Sequence, residues 1–353
     1  MPSQGDRMGH ETSTPSRMVE LDALRGIAAV AVAVLGYHFT TRYQEQIGHV
    51  GGMPVDLLAG KYGVYLFFLI SGFVIFMTLE RTRTAADFVV SRFSRLFPAY
   101  WAAFLLTATV VYTVGLPLQQ LPASQALLNL TMVQEILGAE HLDGSYWTLQ
   151  IELFFYVQML FWYVLGQLRR IHWIIGGWLV LATVEGLCEK YHWHFSYWVR
   201  ELMILRFIPF FAIGILFYRL HRYPAEWRLN LTMLLCALLA IAVGERPIFL
   251  PVALVCCAIF ALFVRGHLRF LDSRLFVFLG SISYALYLVH QAIGFVVIHH
   301  LERHGVPAWL ACTGAATLSL VLAALLHRLV ERPAMEWIRG NWKATRVHTL
   351  VNR

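Results

Sequence analysis

Two histidines, a carboxylate and a hydroxyl occupy positions where unpaired polar groups are costly. His38, Ser71, Glu152 and His290 each interrupt a long apolar stretch. A polar or ionisable group in such a stretch costs up to several kcal/mol unless it is paired or hydrated, so each marks a candidate site. At about 1.5 Å per residue, His38 lies ~22 Å along its helix, His290 ~20 Å along another, Glu152 ~9 Å into a third and Ser71 near the middle of a fourth. Groups from four helices would then meet at similar depths, as a buried acid/base site requires. Each has a plainer reading too. An imidazole or carboxylate can simply bridge two helices, and Ser71-Gly72 can be a close helix contact. A second set is basic. Arg92 and Arg95 are spaced i, i+3 and share a face if their helix begins early. Paired guanidiniums suit phosphate or pyrophosphate recognition. Arg81 and Arg83 crowd the same connector, where membrane topology alone would also gather arginines.

The elements that position these residues follow from composition. Of 353 residues, 58% are apolar and 14% charged, and the mean hydropathy is +0.60. An ordinary soluble chain is about a quarter charged, so a soluble fold is excluded. Apolar windows fall near 23–41, 62–80, 96–115, 146–166, 171–188, 201–219, 229–244, 247–264, 277–299 and 307–327. The expected fold is therefore all-α, a polytopic integral membrane protein with about ten transmembrane helices. The expected domains are an N-terminal cytoplasmic segment (1–20), a transmembrane domain (21–335) and a cytoplasmic tail (336–353). The first window reads as a span and not as a cleaved leader, being too long and carrying His38.

Twenty Lys and Arg fall in alternate connectors on one side and six on the other. This bias puts both termini in the cytoplasm. It also accounts for the net charge of +7 without nucleic acid as a partner. The five cysteines form no Cys-x-x-Cys and no loop pair, so neither a disulfide framework nor a thiolate metal site is indicated. His192-x-His194 and His299-His300 fall short of the three or four ligands zinc needs, and no metal is expected. Glu185 and Arg206 are expected to pair near the outer ends of neighbouring spans.

The motifs carry a resemblance. Leu21-Asp22-Ala23-Leu24-Arg25-Gly26 leading to Tyr37-His38, Phe67-Phe68-Leu69-Ile70-Ser71-Gly72-Phe73, and Arg92-Phe93-Ser94-Arg95 are three of its pieces. Trp147-Thr148-Leu149-Gln150-Ile151-Glu152, Ser283-Tyr284-Ala285-Leu286-Tyr287-Leu288-Val289-His290 and Glu331-Arg332-Pro333 are others. In number, order and spacing they resemble the acyltransferase family 3 membrane proteins. The resemblance implies O-acylation, with O-acetylation expected, of an extracytoplasmic glycan or glycolipid. The donor would be acyl-CoA from the cytoplasm, with acetyl-CoA expected, and the membrane a bacterial inner membrane. Succinyl and other donors stay open, as does the oligomeric state. His38 would be the general base on the acceptor hydroxyl. Glu152 would orient His38 or the acceptor, and His290 would polarise the thioester or protonate the leaving thiolate. Arg92 and Arg95, assisted by Arg83, would hold CoA phosphates. Ser71, Trp147 and Tyr65 would contact substrate, Tyr65 replacing a residue that is often acidic or polar in the family.

Twelve residues separate Arg25 from His38, against ten in the family pattern. In a regular helix this rotates the pair apart by roughly 200°. Either a bulge absorbs the extra residues, Arg25 lies outside the regular helix, or the two leave a common face. A carrier of lipid-linked sugars or anions is the alternative function, since buried His and Glu also suit proton coupling.

Overall fold

The computed structural model describes residues 19–33, 37–50, 52, 58–116 and 119–351. Residues 1–18 of the expected N-terminal segment lie outside these. Every regular element among the described residues is helical. In order they are α1 (Val19–Ala33), α2 (Tyr43–Gln46), α3 (Gly63–Arg81), α4 (Ala85–Val114), α5 (Ala123–Leu128), α6 (Trp147–Val164), α7 (Ile171–Lys190) and α8 (Tyr197–Leu202). Then come α9 (Ile208–Arg222), α10 (Trp227–Gly244), α11 (Phe249–Val264), α12 (Arg274–Val289), α13 (Gln291–Arg303), α14 (Ala308–Leu326) and α15 (Arg332–Val351).

Among the described residues, five segments have the length and hydropathy to cross a membrane: Ala59–Arg81, Ala85–Val114, Gln167–Lys190, Pro224–Gly244 and Ala308–Arg346. Counted as one bent span, α12 and α13 make a sixth. The other expected spans overlap α1, α6, α9 and α11, which are shorter, at 15, 18, 15 and 16 residues, and residues 34–36 of the first lie outside the described residues.

Two helix crossings organise the bundle, and both need glycine. A Cβ on Gly72 of α3 would fall 2.1 Å from the Phe211 carbonyl oxygen of α9, and one on Gly214 would fall 2.0 Å from that of Leu69. Where α1 meets α12, a Cβ on Gly280 would fall 2.3 Å from the Asp22 carbonyl oxygen. Backbones in such contact maximise dispersion, the main attraction left where lipid is as apolar as the side chains. Phe68 of α3 stacks on Phe211 at 4.9 Å, and Phe211 stacks on Phe155 of α6 at 4.1 Å, filling the space beside the first crossing.

Several boundaries differ from expectation, with consequences for the site. The third span starts at Ala85, where Thr84 and Asp87 form a capping box. Arg92 and Arg95 are therefore inside regular helix, as is Pro98. The sixth span starts only at Ile208. Arg206 precedes it and pairs with Glu245 at 3.5 Å, not with Glu185. The ninth span is not continuous: it breaks by 71° between Val289 and Gln291, with His290 at the corner. The expected tail is helical as far as Val351 and folds back on α4, where Arg346 and Trp342 donate to Asp87.

Candidate active site

His38 opens a five-residue π-helix, His38–Arg42, in which Arg42 N donates to Tyr37 O at 2.8 Å. Such a turn accommodates an extra residue and is common at functional positions. Regular α1 ends at Ala33, ahead of His38, and Arg25 and His38 line different cavities.

The turn brings His38 against the corner residue of the broken span. His38 Nδ1 lies 2.6 Å from His290 Nε2, and the two buried rings stack at 4.8 Å. His290 Nδ1 lies 2.9 Å from Tyr287 O and 3.2 Å from Leu286 O. Carbonyls only accept, so the His290 proton belongs on Nδ1 and its Nε2 carries the lone pair. The His38 proton must then sit on Nδ1, which leaves its Nε2 lone pair as the free base. Both nitrogens of His290 are thus committed, one to His38 Nδ1 and the other to the Tyr287 and Leu286 carbonyls.

Asp143, which the sequence reading passed over, fixes this corner. Its fully buried carboxylate accepts from Ser145 N and Oγ, at 2.8 and 2.6 Å, and from Ala292 N at 2.8 Å. Ala292 opens the second half of the broken span, so the anion sits on a helix N-terminus. Neither proline nor glycine flanks His290, and a partner 149 residues away carries no local signal for the break.

Glu152 stands apart from the histidines. It accepts from Ser71 Oγ at 2.6 Å and from the Tyr156 hydroxyl. The expectation that it orients His38 is not met, and Ser71 serves Glu152 as well as adjoining the glycine contact. The Glu152 cavity, about 60 Å³, is lined also by Arg25, Arg95, Ser283, Tyr284 and Tyr287. It has room for a few waters. Arg92, on the same helix as Arg95, lies 5.9 Å from the Phe88 and Tyr156 rings, and its buried Nε has no partner among the described residues. Arg339 reaches the same face from α15, donating to Ser94 Oγ at 3.0 Å and Ser91 O at 3.1 Å. Arg339 falls within the expected tail, 336–353. Arg83 is exposed on the turn before α4 and lines neither this cavity nor that of His38.

His38 lines a cavity of about 360 Å³ with Tyr65, Trp147, Lys61, Arg246 and Gln291. This cavity and that of Glu152 have Val64 in common, and Tyr287 stands between them, 5.6 Å from the His290 ring. Beyond it lies a vestibule of about 1060 Å³ that shares Tyr65, Trp147, Arg42 and Gly144. Its rim carries Glu135, Glu185, Glu189 and Glu201 beside Arg200 and Arg206. The hydrogen bond from His141 holds Glu135 below the usual carboxylate range, whereas burial pushes neighbouring Glu201 up. Burial also pushes Glu245, the partner of Arg206, up to about 7.

Residues 18–328 match a family described as an acyltransferase domain. The chain is 27% identical over 372 aligned positions to the acyltransferase MdmB of Streptomyces mycarofaciens, covering 91% of this chain and 93% of that one. It is 27% identical to nodulation protein 10 of Rhizobium leguminosarum bv. viciae, over 81% of this chain and 85% of that one. No solved structure matches. With this match across most of its length and with helices fit to span a bilayer, the chain belongs to acyltransferase family 3 and is an integral membrane acyltransferase.

Proposed function

We propose that the protein takes an acyl group from cytoplasmic acyl-CoA and passes it to a hydroxyl of an extracytoplasmic glycan or glycolipid. Acetyl-CoA is the expected donor and a bacterial inner membrane, with both termini inside, the expected setting. The observation that supports this reading is the His38–His290 pair: it leaves a basic nitrogen on His38, in a cavity that shares Arg42, Tyr65, Gly144 and Trp147 with a wide vestibule.

Arg92, Arg95 and Arg339 present a basic face at the inner end, suited to the CoA phosphates. From there the pantetheine arm runs past Arg25 and Glu152 towards Val64. The small Glu152 cavity must widen for it, which asks side chains such as Phe67 and Tyr287 to turn. The acceptor enters from the vestibule between Tyr65 and Trp147. His38 Nε2 takes the hydroxyl proton as the oxygen attacks the thioester carbon. The tetrahedral intermediate collapses, the carbon–sulfur bond breaks, and the imidazolium returns its proton to the thiolate. No net charge crosses the membrane.

The test is acyl transfer by the purified chain in vesicles, with thiol release from acetyl-CoA as the readout. His38→Ala abolishes release, and Arg95→Ala raises the KM for acetyl-CoA. A folded His38→Ala protein with normal transfer ends the proposal. A carrier would be indifferent to acetyl-CoA altogether.

A further inference from the structure

Gln291 follows His290 at the bend and has no part in the scheme above. It is 4% exposed, and its amide lines the cavity that holds His38. Among the described residues its Oε1 has no hydrogen-bond partner. A buried amide oxygen without a donor is destabilising, and an active-site cavity is where such a group is tolerated for use. The amide is not loosely placed. A Cβ on Gly144 would fall 2.4 Å from Gln291 Nε2, so the loop before α6 closes on the amide only because glycine stands there. The next residue, Ala292, is anchored through its N–H to Asp143.

The unmet need is for a donor. The attacking hydroxyl carries one hydrogen, and His38 takes it. We propose that Gln291 Oε1 accepts a hydrogen bond from a second hydroxyl on the same acceptor molecule, which makes Gln291 a specificity residue for polyhydroxylated acceptors over simple alcohols. This rests on the acyltransfer reading above. A site that hydrogen-bonds a substrate hydroxyl discriminates strongly against analogues lacking it, because the site's own polar atom is then stranded.

The experiment compares two acceptors with acetyl-CoA as donor, using the full chain in vesicles: ethanol, which has one hydroxyl, and a glycolipid extract of the producing cells. Gln291→Met keeps the length and loses the oxygen, while Gln291→Glu keeps an acceptor oxygen. The Met variant is expected to lose 30-fold or more in transfer to the extract, with ethanol transfer and the KM for acetyl-CoA within threefold of wild type. The Glu variant retains at least a third of transfer to the extract. Gly144→Ala, which displaces the amide, reproduces the Met pattern and serves should the Met protein fail to fold. Equal losses on both acceptors, no loss on the extract, or a raised KM for acetyl-CoA (pointing to the amides of the pantetheine arm) would each overturn the assignment. A wild-type protein that acylates neither acceptor refutes the acyltransfer reading itself, and this inference goes with it.

Discussion

Replacing His290 by alanine tests the division of labour between the two histidines. The substitution leaves the His38 Nδ1–H without its acceptor at 2.6 Å, in a place that is less than a tenth exposed. An unpaired buried donor costs about 1–3 kcal/mol. His38 can escape that cost by turning its ring or moving its proton to Nε2, and either escape removes the base from the cavity. The loss therefore falls on the transition state, where about 1.4 kcal/mol is a factor of ten, so kcat should drop about 5- to 150-fold. The KM for acetyl-CoA should stay put, because the nitrogens of His290 face His38 and the backbone and not the donor. Glutamine at 290 can offer an amide oxygen to His38 Nδ1, so His290→Gln should recover part of the lost kcat. Steady-state thiol release on protein in vesicles, with fold checked by melting in detergent, measures all three. A His290→Ala enzyme with normal kcat, or one whose defect is confined to KM, contradicts the orienting role.

Other outcomes follow from the same geometry. Arg95→Ala removes a charge-assisted contact of about 1.5–3 kcal/mol and should raise the acetyl-CoA KM by roughly 10- to 150-fold. Arg83→Ala, on its exposed turn, should leave that KM unchanged in the same titration. Asp143→Asn sets an amide N–H₂ or a reduced acceptor against Ala292 N, so kcat should fall together with detergent melting temperature; an unchanged kcat would show that the bend holds without the anion. Burial pushes the Glu245 carboxyl up to about 7 in the folded protein, from an ordinary value of 4.5. The folded state then binds more protons between those values, so this group's contribution to stability is full at low pH and declines as pH rises towards 7. A shift of that size amounts to about 3 kcal/mol at most. Glu245→Gln should flatten the fall in melting temperature between pH 5 and 8, and a slope identical to wild type would refute the assignment.

Much of the helix layout was legible because charge is so sparse: apolar windows matched helices nearly one for one, and His38, Glu152 and His290 stood out by their cost. Their partners were not legible. Depth along a helix assumes continuity, and His290 lies at a break set by Asp143 from a distant loop. Arg25 and His38 share one apolar window in the sequence, but α1 ends at Ala33, and Arg25 lines the Glu152 cavity instead. Arg339 was hidden for another reason. It rides on a polar-faced helix beyond the last apolar window, where hydropathy says only that the segment is not a span.

That last helix has a consequence for how the molecule is made. Ser94 and Arg339 are 245 residues apart in sequence yet share one hydrogen bond. At about 5–20 residues per second, on the order of 10–50 s of synthesis separates them. The helices that line the Glu152 and His38 cavities can be made and packed well before α15 exists. A nascent chain stalled short of α15 would leave Ser91 O and Ser94 Oγ of α4 without the Arg339 guanidinium that latches them.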